Sequence, residues 1–304
     1  MNTQDFIVPI LMNGLRGRML RIPVKNSNAK REILLVYGHH SSLERINGVA
    51  ESLAEFGNVT VPDLPGFGGM EAMYKIGNKP SLDNLADYLA AFIKLRYKNR
   101  RVTIVGLSFG FLVVTKMLQK YPDIVRKTDL LVSLVGMVHK EDFKLKKRHF
   151  YFFRYGSSLF SNALPAWFAK TFILQAPIIT LAYKLVEGRH SKLKNADKAE
   201  RNARIKFEII LWKINDIRTY MDTAVSMFTT DLCNLRVKIA VHHVTVDNDR
   251  YFDNHVVKQH LSIIYENVNI IHTRFPSHAP TVIANSVDAA PFIPPKLRKI
   301  LKDY

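Results

Sequence analysis

One serine in this 304-residue chain stands where a hydroxyl can become a nucleophile. In "VTIVGLSFGFLVVTKML", Ser108 lies between Gly106 and Gly110. An apolar β-type run, Val102 to Val105, precedes it, and a helix-type run, Phe109 to Leu118, follows. A strand that turns at once into a helix crowds its own backbone. Flanking glycines relieve the clash, and the central residue is held in a strained, exposed conformation. Its side chain then stands at the carboxyl edge of a sheet, beside helix N–H groups able to stabilise an oxyanion. A G-x-S-x-G turn of this kind suits serine attack on a carbonyl. The bland alternative is a tight turn in which Ser108 is only a cap.

A serine hydroxyl needs a base to take its proton. The chain has eleven histidines, so position must choose among them. His278 lies in "TRFPSHAPTVIAN", a loop-like stretch between a β-type run and the last helix-type run. Such a loop can swing an imidazole over Ser108. His242 and His243 lie within a strand pattern and would point to opposite faces. His255 and His260 lie in a helix pattern. These four read as structural. The base in turn needs an acid to orient it and to stabilise the imidazolium. "VTVDNDRYFD" offers Asp247, Asp249 and Asp253. A calcium loop is excluded there, because Phe252 stands where the sixth-position glycine is required and Lys258 where the twelfth-position glutamate is.

The elements that must position these residues alternate along the chain. "FIVPILMN" and "GRMLRIPV" read as two early strands, followed by strand "REILLVYG" and a helix over about 42–56. "NVTVPD" is a strand, and Ser81 an N-cap for "LDNLADYLAAFIKLRY". After the Ser108 unit come strand "DLLVSLVG" and, much later, strand "VKIAVHHVTV", helix "NHVVKQHLSIIY", strand "NVNIIHT" and helix "PKLRKILKDY". The order is that of a parallel sheet covered by helices. The rhythm breaks over 139–234, which reads helical and aromatic. The expected division is therefore a core of residues 1–138 and 235–304 with a helical cap inserted at 139–234.

The motifs "LLVYGHH", "VPDLPGFGG", "VGLSFG", "VDNDRYF" and "SHAP", in this order, resemble those of the α/β-hydrolase fold superfamily, in particular its capped, esterase- and lipase-like serine hydrolases. The resemblance covers nearly all of the chain outside the insertion. It implies an α/β-hydrolase fold: a mostly parallel central sheet, helices on both faces and a helical cap. It implies a Ser108–His278–Asp249 triad, with Asp247 as the alternative acid. It also implies an oxyanion hole from the backbone N–H groups of His39 and Phe109. Two positions depart from the family pattern: Tyr37 replaces the usual histidine before Gly38, and Phe111 stands where many relatives carry a further glycine. The implied activity is cleavage of a carboxylic ester, one with an apolar acyl chain. Amide, thioester and carbon–carbon bond hydrolysis and acyl transfer use the same constellation. A non-catalytic, membrane-docking member is the alternative in another class.

Composition bounds the partners. Apolar residues make up 47% of the chain, enough for a large core. A single cysteine, Cys233, excludes an intramolecular disulfide and fits a reducing compartment. The N-terminus is a poor signal peptide, since Asp5 stands where positive charge belongs, so a cytoplasmic protein is expected. "PGFGG" fails G-x-G-x-x-G at Glu71, and neither a Walker A sequence nor a metal motif is present, so no cofactor or metal is expected. The net charge is +18, and residues 139–213 hold 16 Lys plus Arg against six Asp plus Glu. There "KEDFKLKKRHFYFFRYG" interleaves bases with rings, and "LPAWFAKTFILQAPIITLAY" is almost continuously apolar. The expected partners are a small-molecule ester and, peripherally, an anionic membrane, contacted reversibly and in a salt-sensitive way. Nucleic acid is not expected, because no known module accompanies the charge.

Overall fold

The computed structural model describes residues 3–25, 31–185, 198–247, 249–273 and 289–303. Eight strands form one sheet: β1 (Ile7–Met12), β2 (Leu15–Ile22), β3 (Glu32–Val36), β4 (Asn58–Pro62), β5 (Val102–Leu107), β6 (Thr128–Leu134), β7 (Val237–Val246) and β8 (Tyr265–Thr273). Their order is β1-β2-β4-β3-β5-β6-β7-β8. β2 runs antiparallel to β1 and β4, and every other pair is parallel. The central strands β3 and β5 are buried at every position, which is why they read as nearly continuous apolar runs, broken only by Glu32 in β3 and Thr103 in β5.

Eleven α-helices accompany the strands among the described residues: α1 (Leu43–Leu53), α2 (Leu82–Tyr97), α3 (Phe109–Lys120), α4 (Pro122–Lys127), α5 (Lys147–Phe160), α6 (Ala163–Phe168), α7 (Ala176–Leu185), α8 (Lys198–Ile214), α9 (Ile217–Thr229), α10 (Asn254–Ile264) and α11 (Pro295–Asp303). α11 is tied to the segment that follows α1 by Arg298–Glu55 at 2.7 Å. α2 and α3 lie together, tied by Lys116–Asp83 at 3.2 Å. Right-handed crossovers on either side of β3 put α1 and α2 on opposite faces of the sheet. Ser81 caps α2 as expected, its Oγ accepting from Asn84 N at 3.2 Å.

From β3 the chain steps outward through α1 to β4, then returns through α2 to β5 on the other side of β3. Strand order therefore reverses between the carboxyl ends of β3 and β5, where open α/β sheets form their crevices. Between β6 and β7 the described chain consists of α5–α9 with short connections.

Boundaries differ modestly from the expectation. α4 was not foreseen: Pro122 starts it, but six residues carry no helical periodicity. β6 stops at Leu134 because Val135 turns to φ 44° while its N–H bonds Val244 O at 2.9 Å. β8 begins at Tyr265, where α10 has already ended at Ile264.

Candidate active site

Ser108 joins β5 to α3 with φ 50°, ψ −118°, a backbone region that side chains rarely occupy. The crowding behind it is measurable. A Cβ on Gly110 would lie 2.3 Å from Val36 O, and one on Gly106 would lie 2.7 Å from Phe111 Cα. Both glycines are therefore obligatory, and the strained residue is locked by its neighbours. Ser108 N donates to Leu134 O at 2.9 Å, which fastens the turn to the next strand. Phe111, the departure from the family pattern, is fully buried and lies 5.9 Å, ring to ring, from Tyr265. Its bulk is accommodated because its neighbours Gly106 and Gly136 have no side chain: a Cβ on Gly136 would lie 2.5 Å from the Phe111 ring.

The loop after β3 closes over the same turn. A Cβ on Gly38 would lie 2.9 Å from a Leu107 methyl and 3.2 Å from Ser108 Cβ. This sets the residue before His39 against Ser108, while Phe109 opens α3 with one of the N–H groups that a helix leaves without an intrahelical partner. The other departure, Tyr37, is completely buried and anchors the loop. Its hydroxyl donates to Asp63 Oδ1 at 2.8 Å and accepts from Leu64 N at 3.0 Å. Arg18 Nε donates to Asp63 Oδ2 at 3.2 Å. Gly68 is needed there, since a Cβ on it would overlap the Asp63 carboxylate.

The His39 side chain has a separate role. Its ring stacks on Tyr220 at 4.1 Å, and Nε2 lies 3.0 Å from Tyr220 O and 2.9 Å from Thr223 Oγ1. Burial, reinforced by the nearby His40, pushes its pKa down to about 3, so the imidazole is neutral. His39 thus ties the loop to α9.

The three candidate aspartates separate cleanly. Asp249 is 5% exposed, and its Oδ1 accepts from Tyr251 N at 2.8 Å and Phe252 N at 3.2 Å. It lines the same cavity as Ser108. Asp247 is exposed and lies 3.3 Å from His272 Nδ1. Asp253 caps α10, accepting from His255 N and Val256 N. His278 lies outside the described residues. The four histidines read as structural are placed in the strand and helix patterns assigned to them. His243 Nδ1 lies 2.8 Å from Ser133 Oγ, and His260 Nδ1 lies 2.6 Å from Asp142 Oδ1.

The cavity lined by Ser108 and Asp249 measures about 570 Å³. Its lining falls into two groups of mutually touching residues. Phe143, Phe153, Phe228 and Phe252 form one, with ring separations of 4.8 Å for Phe143–Phe228 and 5.2 Å for Phe143–Phe252. The other is polar: His40, Arg45 and Trp212 line it, and the buried Glu208 behind them lies 3.2 Å from His40 Nε2 and 3.8 Å from Arg45 Nη1, with the Trp212 ring tilted against His40 at 4.3 Å. Tyr183 also faces Glu208, which together with burial holds its hydroxyl firmly protonated. The sequence reasoning did not find this polar group. Its one sequence signal was Glu208 itself, the only acid in the run "RIKFEIILWK".

A lone cysteine and a cluster of possible metal ligands carry other chemistry. Burial and Asp231 raise the Cys233 thiol to about 11, so it is no nucleophile at neutral pH. His139, Glu141 and His260 come close enough together to hold a metal ion. However, His139 Nδ1 accepts from Glu141 N at 3.1 Å, which leaves its proton on Nε2, facing Asp231 at 3.5 Å. The trio therefore suits a hydrogen-bonded strut better than a ligand set.

The family model for the α/β hydrolase fold matches residues 33–209. Among solved structures, the chain is similar to a thermophilic esterase from Thermogutta terrifontis, at 15% identity over 88% of this chain and 89% of that one, TM-score 0.58. It is similar to a membrane phospholipase A described as a bacterial virulence factor, at 13% identity over 98% and 85%, TM-score 0.66. It is also similar to the epoxide hydrolase CorEH, at 15% identity over 98% and 96%, TM-score 0.60. No curated protein sequence matches the chain.

Proposed function

The chain belongs to the α/β-hydrolase fold family, and from that premise we propose that it is a serine hydrolase cleaving a carboxylic ester with an apolar acyl chain. The observation that carries this is Ser108 at φ 50°, locked between Gly106 and Gly110, with its side chain facing the 570 Å³ cavity. Ser108 Oγ attacks the ester carbon while His278 takes its proton. The N–H groups of His39 and Phe109 hold the oxyanion. The ester C–O bond then breaks, and the leaving alcohol receives the proton from His278. Water, activated by the same imidazole, hydrolyses the acyl-enzyme and restores Ser108. Asp249 orients His278, a role its burial and its backbone donors suit better than the exposed position of Asp247 suits that residue.

The cavity has the polarity of an amphiphile. The phenylalanine group suits an acyl chain. The polar wall of His40, Arg45 and Tyr183, backed by the buried Glu208, suits a polar, hydroxylated alcohol portion. The cap at 139–234 closes this cavity, and the cytoplasmic face of a membrane is the expected place of work. Among the similar structures are proteins named esterase and phospholipase, which fits this reading. No helix among the described residues is long and apolar enough to cross a bilayer by itself.

The test is a fluorophosphonate probe followed by a p-nitrophenyl ester series. Labelling is expected on Ser108 alone, with octanoate esters turned over faster than acetate. Labelling that survives Ser108→Ala would remove the nucleophile assignment. A preference for acetate would remove the acyl-chain assignment. Absence of both labelling and turnover would favour a non-catalytic, membrane-docking protein.

A further inference from the structure

Apolar side chains that the sheet would bury at once are left in solvent by the cap. Thirteen of the twenty large apolar side chains exposed among the described residues lie between Tyr151 and Leu185. They include Phe152 at 70%, Leu164 at 78%, Trp167 at 58%, Phe172 at 52% and Leu181 at 58% exposure. α5 has no buried residue in fourteen. Soluble monomers rarely display so much contiguous apolar surface without a partner.

Three observations choose the partner. Residues 143–186 contain seven Lys and Arg and no Asp or Glu. Two copies docking through this face would therefore bring like charges together. The exposed set includes the aliphatic Leu164, Ile173, Ile178, Leu181 and Leu185, which offer nothing to a nucleic-acid base. Finally, Ala163–Ile173 and Ala176–Tyr183 meet at 77°. The first arm, eleven residues, is about 16 Å long. A bent pair of such short arms suits the headgroup–acyl boundary rather than a crossing of the bilayer. Lys144, Lys146, Lys147 and Arg148 are exposed directly before Phe152, and Lys170 between Phe168 and Phe172, where they meet anionic headgroups as the rings enter.

We propose that α5–α7 form a monotopic anchor: the bent pair inserts its apolar face into one leaflet of an anionic bilayer, and the site draws its lipid ester from that leaflet. The second half rests on the hydrolase reading above. It follows from Phe153 and Tyr251, which are 46% and 49% exposed and also line the cavity of Ser108. The exposed edge of the cavity therefore adjoins α5, the helix that leads into the bent pair. This goes beyond the electrostatic adsorption expected from charge alone, because insertion survives screening.

Flotation of the full chain with phosphatidylcholine vesicles, with and without phosphatidylglycerol, tests the anchor at low and high salt. The Ser108→Ala protein is run in parallel, so that docking is read without hydrolysis. Binding is expected to the phosphatidylglycerol vesicles, weakened by no more than about tenfold at high salt. The triple variant Trp167→Asp, Phe168→Asp, Phe172→Asp is expected to lose about a hundredfold or more in partitioning at both salts. It should keep the turnover of a water-soluble ester. The chain has two tryptophans, so in Trp212→Phe the fluorescence reports Trp167. Brominated lipid is expected to quench it. Binding that vanishes at high salt, an unquenched Trp167, or a triple variant that binds as the parent does would each overturn insertion. So would a parent dimer that the triple variant converts to a monomer, without vesicle binding by either. An inactive protein that still floats and is still quenched leaves the anchor standing and removes only the hydrolase reading.

Discussion

Two regions of this molecule spend similar side chains in opposite ways. β3 offers Ile33, Leu34, Leu35 and Val36 to the sheet, all 0% exposed. The bent pair after α5 offers Leu164, Trp167, Phe168 and Phe172, all more than half exposed. The first region stores precision: it fixes two strand ends so that Gly38 and Ser108 touch. The second leaves them in solvent, where the proposed anchor would use them as affinity for a bilayer. A sequence that is apolar in both places becomes frame in one and contact surface in the other, and the neighbouring charges and helix breaks make the difference.

The sharpest way to break this contrast is at the frame's working atom. Ser108→Ala is expected to abolish fluorophosphonate labelling and lower kcat by about 10³-fold or more, with Tm nearly unchanged. A large fall in Tm would mean that the serine is a structural cap instead. Next in size is the pair of aspartates. Asp249→Asn is expected to lower kcat by about 10³-fold, and Asp247→Asn by less than about twofold, measured on one soluble ester. If Asp247→Asn is the crippling change, the acid turn is misassigned by two residues.

Core and cap can then be weighed by stability. Leu34→Ala should cost about 2–5 kcal/mol in denaturant unfolding. Leu164→Ala should lie within about 0.5 kcal/mol. Equal costs would mean that Leu164 is covered in solution. The smallest effect is on pH dependence. His39 titrates at about 3 when folded against 6.5 as a free side chain. Its depressed pKa contributes stability that is full above about 6.5 and lost as pH falls toward 3. His39→Gln should therefore flatten the decline of Tm with acidification across that window. An unchanged slope would assign the acid sensitivity to other groups.

Much of the frame was legible because strands buried on both faces are nearly continuously apolar, and the runs at Ile33 and Val102 can be little else. Ser108 was legible because a strained turn needs glycine on both sides. The distinction between Asp247 and Asp249 was not, since two carboxylates two residues apart in a turn differ only in which one the chain folds inward. Nor was the polar group of His40, Arg45 and Glu208, in which Glu208 lies more than 160 residues from the other two and meets them only when α8 settles over the loop after β3. The cap's exposed face was half visible. Its basic and apolar content could be read directly, but sequence alone does not say whether rings at helical spacing turn inward or out.

The glycines around Ser108 also say how this protein could acquire a new reaction. Any residue placed at 108 would be presented at the same spot, because backbone contacts, not its own side chain, hold it there. Its neighbours at 106 and 110 admit not one added methyl group. Variation is thus channelled: the identity of the reactive atom is open to single substitutions such as serine to cysteine, while its position is closed to them. A lineage built on this turn would diversify by exchanging that atom and reshaping the distant walls, never by moving the seat of the chemistry.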